Sequence, residues 1–264
     1  MTVEEIRNCF PYFKSNKKSI YFDSAATTHK PQSVIDTIIS FYQKYNSNIH
    51  RSMNKAATIA TQKFENSRSL VKELLNAEHS SEIVFTNGAT DSINLVAQSF
   101  LKNQIKKDDI ILISETEHHS NLVPWQQLAL ETGAKIDFLP IRDDLLVDTD
   151  KIKAKINDKV KLISTHHISS ISGGKQNIEK IIKIAKSFNI PILIDGAQAI
   201  AHTPVDVQAL GCDFYVFSGH KLYGPSGIGI LYGKEEMLEQ LPPYQGGGGM
   251  IADVTLDGAT FTGL

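Results

Sequence analysis

Two charged residues, each placed just after an apolar run, carry the clearest chemistry in this sequence. Asp195 follows the run Ile192–Ile194, and Lys221 ends the motif Ser-Gly-His-Lys that follows Phe214–Phe217. A lysine amine can form a Schiff base with an aldehyde, and a carboxylate can keep a pyridine nitrogen protonated so that the ring accepts electrons. Together the two residues predict a site for pyridoxal 5'-phosphate (PLP), in which Lys221 is the catalytic lysine.

Other polar residues close to these runs could hold the rest of such a cofactor. The segment Thr86–Asp91 precedes an apolar helix, so its backbone N–H groups and the Thr90 hydroxyl predict an anion cup. Ser218 and His220 could add hydroxyl and imidazole donors to the same phosphate. Gln198, three residues after the aspartate, could donate to the phenolic oxygen of the cofactor.

The histidines of the sequence favour catalysis over metal binding. We interpret His118 as a catalytic imidazole that stacks on the cofactor ring and moves protons. The pairs His118–His119 and His166–His167 point in different directions in regular structure, and no cysteine or HExxH spacing accompanies them. No metal site is therefore predicted.

Ordinary structural interpretations stay open for the same residues. Asp195 could cap a helix, because an aspartate after a strand often does. Lys221 taken alone could be an exposed surface lysine, and Gln198 a polar residue in a helical turn. Three of the histidines could be capped surface residues: His79, His119 and His166.

Short apolar runs alternate with helical periodicity along the chain. Strands are predicted over seven runs: Glu82–Phe85, Ile110–Ile113, Ile136–Leu139, Val160–Ile163, Ile192–Ile194, Phe214–Phe217 and Ile228–Leu231. Helices are predicted from Pro31 to Tyr42, from about Ala56 to Leu75, and over Ser92–Leu101, Leu122–Thr132 and Ile178–Phe188. The alternation predicts an α/β fold, a mostly parallel sheet with helices on both faces, whose ligands bind beyond the carboxyl ends of the strands.

Composition excludes several classes of function. The 264 residues carry 27 Lys and Arg against 29 Asp and Glu, a balance that argues against nucleic-acid binding. No apolar stretch is long enough for a membrane span, and the N-terminus lacks the apolar core of a secretory signal. Two cysteines, Cys9 and Cys212, form no disulfide framework, which fits a reducing compartment, so a cytoplasmic protein is expected.

The ordered motifs closely resemble the class V aminotransferase superfamily, and within it the SUF-pathway (group II) cysteine desulfurase/selenocysteine lyase branch. The matching stretches are Tyr21–Thr27, Asn48–Arg51, Phe85–Asn94, Glu117–Trp125, Asp195–Gln198 and Cys212–Gly229. The resemblance implies a PLP enzyme of fold type I, usually a homodimer. It implies removal of sulfur from L-cysteine, with a persulfide passed to an acceptor protein for iron–sulfur cluster assembly, or the corresponding removal of selenium from L-selenocysteine.

The resemblance also assigns roles to single residues. It makes Lys221 the Schiff-base lysine, pairs Asp195 with the pyridinium, stacks His118 on the ring and directs Gln198 to the phenolic oxygen. The phosphate would be held by Ala89, through its backbone, and by Thr90, Ser218 and His220. Four residues would lie near the substrate entrance: Ala25, Ala26, His50 and Arg51.

One departure from the family pattern lies inside the predicted site. The family usually has His-x-Ser-Asn where this chain has His167-Ile168-Ser169-Ser170. Ser170 therefore replaces an asparagine that the resemblance directs to the phenolic oxygen. Because serine is shorter and offers one donor, we expect weaker cofactor binding, with Gln198 compensating.

A second departure concerns the length of the chain. We divide it into an N-terminal arm, residues 1–15, and a PLP-binding large domain, residues 16–264. The small C-terminal domain of the family, with its carboxylate-binding arginine and nucleophilic cysteine, is expected to be absent. Cys212 is interpreted as a buried structural thiol, and nothing places Cys9 at the site.

Three hypotheses follow from these departures. The chain is the N-terminal part of a cysteine desulfurase, another class V PLP lyase or epimerase, or a non-catalytic PLP-binding accessory chain. Little activity is expected of the isolated chain in any of the three cases.

Overall fold

The computed structural model describes residues 1–50 and 53–262. Its main sheet contains seven strands: β1 (Ile83–Thr86), β2 (Ile110–Ser114), β3 (Lys135–Leu139), β4 (Val160–His166), β5 (Ile192–Asp195), β6 (Phe214–Ser218) and β7 (Gly229–Gly233). Their order across the sheet is β1-β7-β6-β5-β4-β2-β3. The pairs from β6 through β5, β4 and β2 to β3 are parallel, and β7 is antiparallel to both β6 and β1. The prediction of a mostly parallel sheet is confirmed, with all seven strands where the apolar runs indicated.

The helices also follow the predicted pattern. They are α1 (Val3–Asn8), α2 (Pro11–Ser15), α3 (Gln32–Lys44), α4 (Lys55–Leu75), α5 (Ala89–Leu95), α6 (Val123–Thr132), α7 (Ile178–Ser187), α8 (Val207–Leu210) and α9 (Glu235–Leu238). A π-helical segment, Val96–Leu101, continues α5. The five predicted helices correspond to α3, α4, α5 with its extension, α6 and α7, whereas the shorter helices were not anticipated because they contain too few turns for a periodic pattern.

Local capping explains where the longer helices begin and end. The Asn54 side chain accepts a hydrogen bond from the backbone N–H of Ala57 at the start of α4, and Asn76 ends this helix in the left-handed conformation. Asn177 caps α7 in the same way, by accepting from the backbone N–H of Lys180. Asparagine serves both ends because its short amide can bond to nearby backbone and tolerates positive φ.

Two apolar cores lie on opposite faces of the sheet. One packs α7 against alternate residues of the strands, including Leu112, Ile163 and Ile194. The other packs α5 and α6, with Trp125 at its centre, against the residues between them, such as Ile113 and Leu193. Because strand side chains alternate between faces, the same strands supply both cores. This arrangement confirms that helices cover both faces.

Helix α3 does not contribute to either core. Its apolar residues recur at helical spacing, yet Ile38, Ile39 and Tyr42 are 40%, 46% and 68% exposed. A two-stranded hairpin, β8 (Ile251–Val254) and β9 (Ala259–Phe261), is also exposed and was not predicted. None of the helices in the described part of the chain is long and apolar enough to cross a membrane.

The sheet brings two glycines into direct contact where β7 meets the turn before α5. A Cβ atom added to Gly229 would lie 2.4 Å from the Cα of Gly88, whose φ of 154° suits only glycine. The Gly229→Ala substitution should therefore push the strand and the turn apart and lower the free energy of unfolding by about 1–3 kcal/mol. Urea unfolding would measure this, with Gly246→Ala, which meets no atom within 4 Å, as the control. Equal stability of the two variants would contradict the close packing.

Candidate active site

Most of the predicted site residues meet at one edge of the sheet. Asp195 ends β5 and Ser218 ends β6, and a 3₁₀ turn, Gly219–Lys221, follows immediately. These residues line a cavity of about 560 Å³. Nine of the predicted residues form its walls: Ala25, Ala26, Ala89, Thr90, His118, Asp195, Ser218, His220 and Lys221. Gln198 lines an adjoining narrow space together with Asp195 and Lys221.

One predicted residue, His50, is not brought to this cavity. The His50 Nε2 lies 3.2 Å from Glu65 Oε1, and its backbone N–H donates to the Thr61 hydroxyl at 3.0 Å, on the side of α4. Arg51 lies outside the described residues. Of the residues predicted near the substrate entrance, Ala25 and Ala26 line this cavity in the described part of the chain.

Asp195 is a buried carboxylate that faces the cavity with one oxygen free. Its Oδ1 accepts a hydrogen bond from the Ala197 N–H at 2.9 Å, whereas no residue within 1–50 and 53–262 donates to Oδ2. Burial raises the pKa of this carboxyl to about 6. This carboxylate is 6% exposed and lines the cavity, and a largely buried negative charge gains from a cationic partner, so the site suits a ligand that brings a cationic N–H.

A helix start and a strand end together form the candidate anion cup. The Ala89 N–H, in the first turn of α5, donates to the Ser218 hydroxyl at 2.8 Å. The Thr90 hydroxyl, one residue further, donates to the Ser120 hydroxyl at 2.7 Å. N–H and O–H groups converge here at a positive helix end, which is the arrangement that phosphate groups favour.

The turn that carries Lys221 is held by a distant segment. The carbonyl oxygen of His220 accepts hydrogen bonds from the backbone N–H of Thr28 at 3.0 Å, from its hydroxyl at 2.9 Å and from Lys30 Nζ at 3.0 Å. Burial, followed by the charges of Lys221 and Lys30, lowers the pKa of the His220 imidazole. The turn is therefore anchored through its backbone, and the His220 ring is neutral near pH 7.

His118 has a defined orientation at the opposite wall. Its Nδ1 accepts from the Ser120 N–H at 3.1 Å and lies 3.0 Å from the Ser120 hydroxyl. Burial and then the charge of Lys221 lower the pKa of the imidazole. The neutral ring thus carries its proton on Nε2, the atom that remains available to a ligand.

Gln198 and Ser170 complete the candidate site. The Gln198 amide donates to the carbonyl oxygen of Ala25 at 2.8 Å, and this bond brings the segment around residues 25 and 26 to the cavity. Its role toward a cofactor oxygen stays a prediction. Ser170 lines the cavity on a loop that Ser169 organises by accepting from two backbone N–H groups.

Several residues near the site were missed or misjudged from the sequence. A capped surface histidine was an open alternative for His166, but this residue is 4% exposed and bonds to the buried carboxylate of Glu117, with His166 Nδ1 2.7 Å from Glu117 Oε1. His166 is the last residue of β4, an inner strand of the sheet that has an apolar core on each face, so its side chain is enclosed. Glu117 was not predicted from the sequence. Its available signal was its position, as an acidic residue directly before His118 in a segment flanked by buried residues.

The two cysteines stand apart from the cavity. Cys212 is fully buried just before β6, and burial raises the pKa of its thiol to about 12. Cys9 is exposed in the N-terminal arm. Among the residues described, no cluster of three or more histidine, cysteine or carboxylate side chains has the arrangement of a metal site.

The raised pKa of Asp195 predicts a dependence of stability on pH in the cofactor-free chain. An unfolded aspartate titrates near 3.8, and the folded one near 6, so the wild type loses stability as pH rises between these values. The Asp195→Asn substitution keeps the bond to Ala197 and removes this cost. It should raise the free energy of unfolding by up to about 3 kcal/mol above pH 6 and have little effect near pH 4. Urea unfolding across this range would test it; a variant less stable than the wild type at pH 7.5 would refute the assignment.

Comparisons with known proteins place this geometry in a family. The sequence is 44% identical over 267 residues to a probable cysteine desulfurase of Vibrio cholerae. The alignment covers 100% of this chain and 66% of that protein. The crystal structure of Escherichia coli cysteine desulfurase CsdA, in an S-sulfonic acid form, superposes with a TM-score of 0.92 at 41% identity, covering 100% of this chain and 65% of the other.

A more distant pair of structures agrees with this result. The apo cysteine desulfurase of Thermococcus onnurineus NA1 has a TM-score of 0.93 at 38% identity, over 100% of this chain and 64% of the other. SspA in complex with cysteine has a TM-score of 0.81 at 29% identity, over 88% of this chain and 66% of the other. The chain thus spans slightly less than two thirds of these relatives. Because the family model for aminotransferase class V matches residues 20–264, the chain belongs to the class V aminotransferase family.

Proposed function

We propose that this chain is the PLP-binding large domain of a cysteine desulfurase, which converts L-cysteine to L-alanine and passes the sulfur on as a persulfide. One observation carries the proposal: the buried Asp195 carboxylate and the Lys221 amine face one cavity, which has an anion cup at its side. The similarity to proteins named cysteine desulfurase, 44% identical over the whole of this chain, supports the choice of substrate.

The cavity fits PLP at three separate points. The Oδ2 of Asp195, which faces the cavity, suits a protonated ring nitrogen, because that contact would pair a largely buried carboxylate with a cation. Lys221 would hold the aldehyde carbon through its amine. The phosphate would be bound by the groups around the start of α5, namely the Ala89 N–H and the side chains of Thr90, Ser218 and His220. When bound, PLP supplies an electron sink conjugated to the amino acid's α-carbon.

The protein side chains then have distinct tasks. The charge of Asp195 would keep the proton on the ring nitrogen, since a neighbouring negative charge favours the protonated, cationic form of that nitrogen. The Lys221 amine would take a proton from the α-carbon of the substrate and return it. His118, neutral and with its proton on Nε2, would stack on the ring and donate from that atom.

The sulfur itself requires a thiolate. In the reaction proposed, a thiolate sulfur attacks the sulfur of L-cysteine, the carbon–sulfur bond breaks, and protons return to the carbon fragment to leave alanine. Cys212 is unsuited to this step because its thiol is buried and its pKa is raised to about 12. We propose that the thiolate enters the cavity from another segment or another chain, and that a separate acceptor protein takes the sulfur toward iron–sulfur cluster assembly.

A second copy of the chain is the proposed partner at the surface of α3. Three apolar residues of this helix, Ile38, Ile39 and Tyr42, are exposed, and Phe22 is 95% exposed. Apolar surface of this extent favours burial against another subunit. We propose that this homodimer is cytoplasmic, and the two free cysteines support that compartment because disulfides are rare in reducing environments.

Covalent trapping tests the cofactor and the lysine together. The chain is mixed with PLP, reduced with borohydride and digested, and the peptides are analysed by mass spectrometry. We expect the reduced adduct on Lys221, its loss in Lys221→Ala, and its retention in the surface variant Lys102→Ala. An adduct on other lysines only would reject the assigned role of Lys221.

The same preparation separates the proposed enzyme from an accessory PLP-binding chain. L-cysteine is added with dithiothreitol as the sulfur acceptor, and alanine and sulfide are measured. Alanine formation by the protein supports a desulfurase. An adduct without alanine, even after the remaining part of a full-length relative is fused to the chain, favours the non-catalytic alternative. That alternative has one structural argument, since no cysteine within residues 1–50 and 53–262 lines the cavity.

Ser170 offers a test of cofactor affinity. The Ser170→Asn substitution places a longer side chain with an amide donor on the cavity wall, so it should tighten PLP binding about fivefold, the effect of one added hydrogen bond. PLP titration followed by absorbance would measure the dissociation constant. Ser172→Asn, in the same loop but off the cavity lining, should leave it unchanged, and equal affinity of both variants would remove the role given to residue 170.

A further inference from the structure

A group of buried polar side chains lies directly behind the cavity. At its centre is Glu117, the residue before His118, whose side chain is fully buried. A buried carboxylate requires strong hydrogen bonds to be tolerated. The other members of the group come from the 3₁₀ turn after β2, from α6, from β4 and from the loop before α7: Asn121, Trp125, Ser164, His166 and Gln176.

Glu117 accepts three hydrogen bonds. The Asn121 amide donates to Oε2 at 2.6 Å, and the backbone N–H of His166 donates to Oε1 at 2.9 Å. The third partner is His166 Nδ1, 2.7 Å from the same Oε1. These bonds join the segment that carries His118 to the last residue of β4.

The remaining bonds of the group determine which atoms donate. The Gln176 Oε1 accepts from the backbone N–H of Val147 at 2.9 Å, so its Nε2 donates to His166 Nε2 at 2.9 Å. His166 is therefore neutral, with its proton on Nδ1, and donates to Glu117. Glu117 therefore accepts hydrogen bonds at both of its carboxylate oxygens.

The hydrogen bonds of Asn121 determine the orientation of its amide in the same way. Its Oδ1 accepts from Trp125 Nε1 at 2.9 Å and from the Ser164 hydroxyl at 2.7 Å. Its Nδ2 must then point to Glu117. Every side chain of the group thus has one hydrogen-bonding direction, and a rotated amide would leave donors facing donors.

This group connects the two walls of the cavity. His166, which holds Glu117, pairs with Asp195 across the parallel strands β4 and β5, and the N–H of His167 donates to the Asp195 carbonyl at 2.8 Å. On the other side, Glu117 is covalently joined to His118. The relative position of His118 and Asp195 therefore depends on the bonds to one carboxylate.

We propose that Glu117 is a positioning residue, whose buried carboxylate fixes the His118 ring relative to Asp195 and so sets the orientation of the bound cofactor. The inference rests on the proposed function, because it concerns the same cavity and the same cofactor. Glu117 does not line the cavity, so it acts through His118 and not by contact with the ligand.

The Glu117→Gln substitution tests this directly. The variant keeps the shape of the side chain but turns an N–H group toward the Asn121 amide, so that two donors face each other. We expect PLP affinity to fall about tenfold. We also expect the visible circular dichroism of bound PLP, which reports a fixed ring orientation, to be largely lost at saturating PLP. A role in stability alone would lower the resistance to urea and leave this signal unchanged, which would overturn the proposal.

A double variant separates positioning from general damage. In Glu117→Gln combined with Asn121→Asp, the new carboxylate can accept from the glutamine amide, from Trp125 and from the Ser164 hydroxyl, so all the hydrogen bonds return. We expect recovery of most of the dichroism. If Glu117→Gln alone does not fold, the double variant carries the test: a folded protein with a wild-type signal supports the proposal, and a folded protein with an altered signal refutes it.

A nearby exposed acid provides the control. Glu115 lies two residues earlier in the same loop and faces solvent, so Glu115→Gln should leave affinity and dichroism unchanged. The outcome is distinguishable from failure of the proposed function. If the wild-type chain does not bind PLP, the function is wrong; if it binds PLP and Glu117→Gln matches it in both measurements, only this inference is wrong.

Discussion

The burial of negative charge at the carboxyl edge of a parallel sheet is the constraint on which the site depends. Asp195 and Glu117 are both removed from water, and each requires compensation. Glu117 obtains it from three hydrogen bonds within the protein. Asp195 receives one such bond and keeps an oxygen directed to the cavity. The difference between the two carboxylates distinguishes a residue that supports the site from one that is prepared for a ligand.

The site also depends on contacts between distant parts of the chain. Thr28 is buried and bonds both to the carbonyl oxygen of His220 and to the backbone N–H of Tyr223, almost two hundred residues away. Next to it, the His29 ring stacks on Tyr12 with centroids 3.7 Å apart. The N-terminal arm is thereby packed on the segment that holds the lysine turn. Backbone carbonyls at a turn end need such partners, since the turn itself leaves them unsatisfied.

The exposed surface completes this picture. Helix α3 has the apolar spacing of a core helix, yet its outer face has no partner within residues 1–50 and 53–262. His50 likewise lies away from the cavity, beside Thr61 and Glu65 of α4. The exposed face of α3 agrees with the second copy of the chain proposed as its partner.

Sequence was sufficient for the elements and for the position of the candidate site, because both depend on local patterns. Apolar runs located all seven strands of the main sheet, and motifs after them located Asp195 and Lys221, since strands of a parallel sheet end at one edge. Tertiary structure decided what the patterns leave open. The apolar face of α3, the enclosure of His166 and the support that Glu117 gives to His118 depend on which segments meet in space, and residues 49 positions apart, such as Glu117 and His166, carry no local signal of their contact.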